Sequence, residues 1–217
     1  MTRKQNWKIK PSDRFILKWI KLNLSAHITP GLVRWTSIAP WHITLFSALL
    51  GCAAGLVFAC GAGWLAGIGA AASQILDGVD GQLARLTGRQ TKGGAFWDSV
   101  LDRYADGAMV IGMTVYLMGL PFPIRPGILI ILATFAIIGS NLISYSSARA
   151  GELGIDLGKK TLAGKGTRSG VMIICALGSI IWTGLPIIAL AYLALHTNLA
   201  VIGLLIRTLR NKEALEH

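Results

Sequence analysis

The sequence predicts an all-α integral membrane protein: six transmembrane helices preceded by an amphipathic interfacial helix. Three observations lead there. Hydrophobic residues make up 53% of the chain and charged residues only 14%, where a soluble domain carries about 25% charged. Apolar runs recur from residue 43 onward, each close to the ~20 residues that a helix needs to cross a bilayer. Basic residues gather on one side of those runs, as cytoplasmic loops do. That asymmetry accounts for the net charge of +11, so no nucleic-acid partner is expected.

Residues 1–40 read as a basic interfacial segment, punctuated by Pro11, Pro30 and Pro40. Within it, the run DRFILKWIKL places Arg14, Lys18 and Lys21 on one helical side and Phe15, Trp19 and Leu22 on the adjoining side. A helix lying in the membrane interface has that pattern. No cleavable signal peptide is expected, because charged residues are not followed by a short apolar core with a small-residue cleavage site.

Residues 41–210 form the membrane domain, with spans expected at about 43–60, 62–84, 96–120, 127–148, 168–184 and 186–206. Residues 211–217 are a tail whose last three residues resemble the start of an expression tag. Six spans put both termini on one side. All of the 21 lysines and arginines except Arg125 fall on that side, so the termini and the site described next should face the cytoplasm of a cell membrane. Gly51, Ala54, Gly55, Gly63, Gly67 and Ala71 predict close packing of the first two spans, and Gly61-Ala62-Gly63 a tight turn between them. Cys52, Cys60 and Cys175 lack CxxC spacing and read as packing residues. Trp35, Trp41, Trp64 and Trp182 fit an aromatic belt, and His42 and His196 ordinary packing or headgroup contacts.

Five of the ten acidic residues lie between Asp77 and Asp106. By the insertion scale each carboxylate at the centre of a spanning helix costs roughly 2.5–3.5 kcal/mol, so four or five cost on the order of 10 kcal/mol. Asp77 and Asp80 are three apart, and Asp98 and Asp102 four apart, so each pair shares a helix face. A short basic connection lets the faces converge. Four carboxylates are neutralised by two divalent cations, and oxygen-only donors favour Mg²⁺, Mn²⁺ or Ca²⁺ over zinc. Two metals suit displacement at phosphorus. Gly78, Gly81, Gly93 and Gly94 are expected to let a bulky ligand approach the backbone, and Arg85 to pair with a phosphate. The spacing excludes an EF-hand, and no Walker-type GK[ST] is present.

Asp77-x-x-Asp80-Gly81-x-x-Ala84-Arg85, eight residues, Gly94-x-x-x-Asp98-x-x-x-Asp102 resembles the signature of the CDP-alcohol phosphotransferases. DGVDG, DSVLDRYADG and SYSSARA are most similar to the branch of phosphatidylinositol phosphate and di-inositol phosphate phosphate synthases. The resemblance implies a CDP-linked lipid donor such as CDP-diacylglycerol, with CMP near Asp80, Gly81, Ala84, Arg85 and Gly94. It implies two divalent cations, Mg²⁺ or Mn²⁺, on Asp77, Asp80, Asp98 and Asp102, with Asp102 as base for a polar alcohol acceptor. A homodimer is a further family expectation. For an anionic acceptor such as inositol phosphate, the candidate ligands are Arg149, Lys165 and Arg168, with Lys159 beside them. Two departures from the inositol-phosphate pattern stand out. Ser147 occupies a position that is usually basic, and Gly164-Lys165-Gly166-Thr167-Arg168 replaces the usual ER-x-x-ER-like segment. Glycerol phosphate or another polar alcohol is the alternative acceptor.

Asp106 extends the acidic stripe by a turn, where it either supports a metal ligand, the preferred reading, or pairs with a basic residue. Two other functions share part of this pattern. Intramembrane prenyltransferases also place aspartates around a pyrophosphate, but in separate halves of a longer bundle. A cation transporter would use the carboxylates as an ion path but has no need of Gly81, Ala84 and Arg85 at these spacings.

Overall fold

A computed structural model describes residues 7–8, 15–34, 39–121, 124–157 and 163–210. These residues are helical or connecting, with no strand among them. The chain begins with a short α1 (Phe15–Ile20), a π-helical turn (Lys21–Ser25) and α2 (Ala26–Val33). Six further helices follow: α3 (Pro40–Ala59), α4 (Gly63–Thr87), α5 (Lys92–Met118), α6 (Pro126–Glu152), α7 (Lys165–Gly178) and α8 (Pro186–Arg210).

Three of these, α3, α6 and α8, are long and apolar enough to cross a membrane. The other three fall short for visible reasons. Helices α4 and α5 have the length, at 25 and 27 residues, but carry the aspartates. Helix α7 has only 14 residues. The span expected at about 168–184 is therefore not one helix: α7 stops at Gly178 and turns, with Ile181 N donating to Gly178 O at 3.0 Å. Thr183, Gly184 and Pro186 cannot extend it well, and a side chain at Gly178 would collide with Leu185.

Outward faces are apolar. Phe46, Leu49 and Leu56 on α3, Ile130, Ile131 and Phe135 on α6, and Leu195, Leu199 and Ile202 on α8 are all exposed. Soluble proteins rarely present so extensive an apolar surface; hydrocarbon is its solvent, and the protein is an integral membrane protein. Inside, Phe58, Met113, Leu129, Leu190 and Leu193 are fully buried with Ala66, Ala136, Ala176 and Ala189. Phe58 meets Tyr116 edge-on, with ring centroids 5.1 Å apart, a favoured aromatic geometry.

Helix α3 packs against both α4 and α5, α4 against α7, and α6 against α8. Small residues permit the α3–α5 approach. A methyl at Gly112 would strike the Gly55 carbonyl, and one at Gly51 would lie 2.8 Å from the Ala105 Cβ. The small-residue expectation thus holds, and it extends to α5.

The N-terminal segment departs from the expected water-facing arrangement. Lys18 and Trp19 are exposed, but Lys21 is only 6% exposed. Gly78 allows this, because its missing side chain leaves room for Ser25 and Lys21. Ser25 Oγ donates to Ile75 O at 2.8 Å, and Lys21 is near enough to Asp77 to attract it electrostatically, which partly offsets its burial. Arg14, Trp35, Lys159 and Lys160 lie outside the described residues.

Candidate active site

Two local features bring the acidic faces together. Helix α4 ends at Gly88 in the left-handed region, φ 69°, where glycine carries no penalty. Three residues later Thr91 caps α5, its hydroxyl accepting from Gly94 N at 2.9 Å. The α4–α5 hairpin is thereby closed by a four-residue link.

Across it, one oxygen each from Asp77, Asp98 and Asp102 lie within 4.8 Å of one another. Asp80 sits one turn along, 5% exposed, with Thr44 beside it and its Oδ2 lacking any hydrogen-bond partner. A buried, unpartnered carboxylate oxygen needs a cation or donor. The donors are all hard oxygens in a close group, so the residues fit divalent cations of the magnesium or manganese type. The positive charge on them here is the ammonium of Lys165, 2.9 Å from Asp77 Oδ1 and 2.6 Å from Asp102 Oδ1. It stands where a cation's charge would.

Beside the cluster opens a cavity of about 400 Å³, lined by Asp80, Gly81, Ala84, Arg85, Gly94 and Asp98 among others. It therefore gathers all five residues expected to contact nucleotide. Thr91 and Gly94 place the first turn of α5 on its wall, where backbone N–H groups favour phosphate. Arg85 Nε donates to Trp7 O at 2.8 Å, which fixes its guanidinium against the N-terminal segment. Trp41, expected in an aromatic belt, lines this cavity together with Pro40 and Thr44. His42 serves the same helix end, its Nδ1 accepting from Ala39 N at 3.1 Å. Of the four glycines expected at the ligand, Gly81 and Gly94 line the cavity, while Gly78 faces Ser25.

On the other side of Asp102 lies a small polar cavity of about 30 Å³, lined by Asp102, Asp106, Ser140, Asn141, Ser144, Lys165 and Arg168 with Arg103. Arg168 is buried at 5% exposure; its Nη1 donates to Ala163 O at 2.8 Å, Nη2 lies 3.7 Å from Asp106 Oδ2, and Nε has no partner. Asp106 therefore contacts a basic residue, the less favoured of its two readings. Arg149 pairs with Glu152 one turn away at 2.6 Å on an exposed stretch of α6 and is not among the residues lining this cavity. Ser140, Asn141 and Ser144 were not anticipated from sequence. Their spacing puts them on one face of α6, but that face is recognisable as polar only once α5 is packed on it.

Fold and site define an all-helical integral membrane protein whose charged chemistry is concentrated on one helical hairpin. A sequence model of the CDP-alcohol phosphatidyltransferases matches residues 37–206, and the chain belongs to that family. It is 34% identical over 137 residues to the bifunctional IPC transferase and DIPP synthase of Thermococcus kodakarensis, covering 63% of this chain and 30% of that protein. The chain thus spans under a third of the bifunctional relatives. With the archaetidylinositol phosphate synthase of Pyrococcus horikoshii it shares 32% identity over 154 residues, 70% of this chain and 77% of the relative. The phosphatidylinositol phosphate synthase of Mycobacterium tuberculosis, solved with manganese and citrate, superposes with a TM-score of 0.78 at 24% identity, over 89% of this chain and 93% of that one. A structure of the same synthase with CDP-DAG bound gives 0.77, over 89% and 98%. At that identity the likeness establishes the fold.

Proposed function

We propose that the chain transfers a phosphatidyl-type group from a CDP-linked lipid, such as CDP-diacylglycerol or an ether analogue, to the hydroxyl of a polar alcohol, releasing CMP. One observation carries this reading: the cavity holding Asp80, Gly81, Ala84, Arg85 and Gly94 opens directly onto the Asp77–Asp98–Asp102 cluster. A nucleotide held in the first would lay its diphosphate on the second.

Arg85 and the first turn of α5 bind the phosphates. Asp77, Asp80, Asp98 and Asp102 would hold two divalent cations, Mg²⁺ or Mn²⁺, which would supply charge neutralisation for displacement at phosphorus. Asp102, between the two cavities, orients the acceptor hydroxyl and takes its proton. The hydroxyl oxygen bonds to the phosphorus that carries the lipid, the bridging P–O bond breaks, and CMP departs with that oxygen. Positioning and charge neutralisation supply most of the acceleration, since an aspartate is intrinsically a weak base.

In this reading α3–α8 all cross the membrane, the N-terminal helices lie at its cytoplasmic face, and the site opens to the cytoplasm. Five crossings are supported by the lengths of α3, α4, α5, α6 and α8, and the sixth, through the shorter α7 and the turn after it, by the placing of Arg125 alone on the far side. The homodimer expected of the family remains part of the proposal. The acceptor is an alcohol bearing an anionic group, inositol phosphate or glycerol phosphate, with Arg168 and Lys165 as its counter-charges and Arg149 as a more distant one.

The test is CMP release from CDP-diacylglycerol by purified protein in Mn²⁺, with inositol phosphate, glycerol phosphate, serine and free inositol offered separately. CMP production stimulated by one acceptor is expected. Release of no CMP with any of them, or release of pyrophosphate from a prenyl donor, would overturn the reading.

A further inference from the structure

Lys165 occupies a position that the transfer reaction does not explain. Its Nζ lies 2.6 and 2.9 Å from one oxygen each of Asp102 and Asp77, and these carboxylates belong to the group suited to a metal. An ammonium at these oxygens and a divalent cation on the same carboxylates repel one another and compete for lone pairs, so each weakens the other's hold there.

Lys165 also stands at a helix end, within reach of a second polar region. It is the first residue of α7, flanked by Gly164 and Gly166, and Gly164 makes no side-chain cap. Its side chain is 23% exposed and borders the small polar cavity with Asp102, Ser140, Asn141, Ser144 and Arg168. In that cavity Arg168 is fixed and buried, with its Nε unpartnered. Asp102 and Lys165 line the same cavity, so the lysine's four-carbon stem can direct its charge either to the carboxylates or toward Arg168.

We propose that Lys165 is a displaceable counter-ion that links metal binding to acceptor binding. It yields Asp77 and Asp102 to incoming divalent cations and then presents its ammonium to the anionic group of the acceptor, beside Arg168. The inference rests on the transferase reading above. It adds an order of events, metal before acceptor, and by reciprocity an acceptor that strengthens metal binding. A site whose ligands are engaged elsewhere binds in proportion to the fraction released, so the lysine lowers apparent metal affinity when no acceptor is present.

The experiment uses full-length protein in nanodiscs with CMP but no lipid donor, so that no turnover intervenes. Mn²⁺ affinity is measured for the wild type and for Lys165→Gln, and acetylation of Lys165 in the wild type is followed by mass spectrometry as Mn²⁺ is added. The expected results are at least tenfold tighter Mn²⁺ binding by the variant and several-fold faster acetylation of Lys165 with Mn²⁺ present. Glycerol phosphate and inositol phosphate should each tighten Mn²⁺ binding in the wild type more than in the variant. Unchanged or weaker Mn²⁺ binding by Lys165→Gln overturns the proposal, as does acetylation indifferent to Mn²⁺; the latter needs only the wild type, should the variant fold poorly. A wild type that binds no Mn²⁺ with CMP removes the transferase reading and this inference together.

Discussion

The side-chain oxygen of Gln82 lies 2.7 Å from the hydroxyl of Thr29, with both residues fully buried between α4 and α2. That hydroxyl is also 2.8 Å from Ser25 O, so its single proton is shared. The amide nitrogen of Gln82 donates to Lys8 O and Lys21 O, each at 2.8 Å. One side chain thus ties three points of the N-terminal segment to the helix bearing Asp77 and Asp80. Gln82→Leu, close in volume, would take the side-chain donor from the Lys8 carbonyl and one of two partners from the Lys21 carbonyl and the Thr29 hydroxyl, which keep Ala26 N and Ser25 O, at about 1–3 kcal/mol. A lower melting temperature is expected, with faster proteolysis near residues 8–30. A variant as stable and as protease-resistant as the wild type would show that the segment is held by other contacts.

Helices α3 and α5 meet where the Gly112 Cα faces the Gly55 carbonyl, closer than any side chain allows. Gly112→Val must push α5 outward and with it Asp98 and Asp102, which the same helix carries. Overpacking of this kind costs about 1–3 kcal/mol. The melting temperature should fall, and Mn²⁺ affinity should fall with it. Gly107→Ala, at a site with nothing within 4 Å, is the control and should leave both unchanged.

The hairpin was legible in the sequence because periodicity places Asp77 with Asp80 and Asp98 with Asp102, and the short basic connection lets the two faces converge; that Gly88 ends α4 and Thr91 caps α5 is seen only in the structure. Bounds of the apolar helices were legible for the same local reason. Contacts that depend on remote segments were not. Lys165 reaches Asp77 across 88 residues through the packing of α7 on α4, and the positive-inside pattern describes it equally well as a loop cation. Lys21 has the amphipathic spacing of a water-facing residue, and only the closeness of Ser25 to Gly78 reveals that it is buried. Helix α7 ends early because of a turn around Gly178 that its hydropathy conceals.

Asp102 borders both the carboxylate cluster and the polar cavity. Asp102→Asn keeps size and hydrogen bonding but takes away the proton acceptor and one ligand charge. At saturating Mn²⁺, turnover should fall about 10²–10⁴-fold while CMP affinity, set by the neighbouring cavity, stays within a few-fold. Full turnover in this variant would remove the base role.

Asp106 and Arg168 supply the means to separate acceptor recognition from metal binding. Their charges lie 3.7 Å apart, with side-chain exposures of 18% and 6%. Because the carboxylate is partly wetted, its loss should cost less than breaking a fully buried pair, about 1–2 kcal/mol. Asp106→Asn leaves the guanidinium less firmly aimed at the cavity that contains Ser140 and Ser144. The expected outcome is an acceptor KM raised about tenfold, with kcat at saturating acceptor and Mn²⁺ affinity near those of the wild type. If Asp106 supports a metal ligand instead, Mn²⁺ affinity falls and the acceptor KM does not move alone. Steady-state kinetics at two Mn²⁺ concentrations distinguish the two outcomes, because only the second is rescued by excess metal.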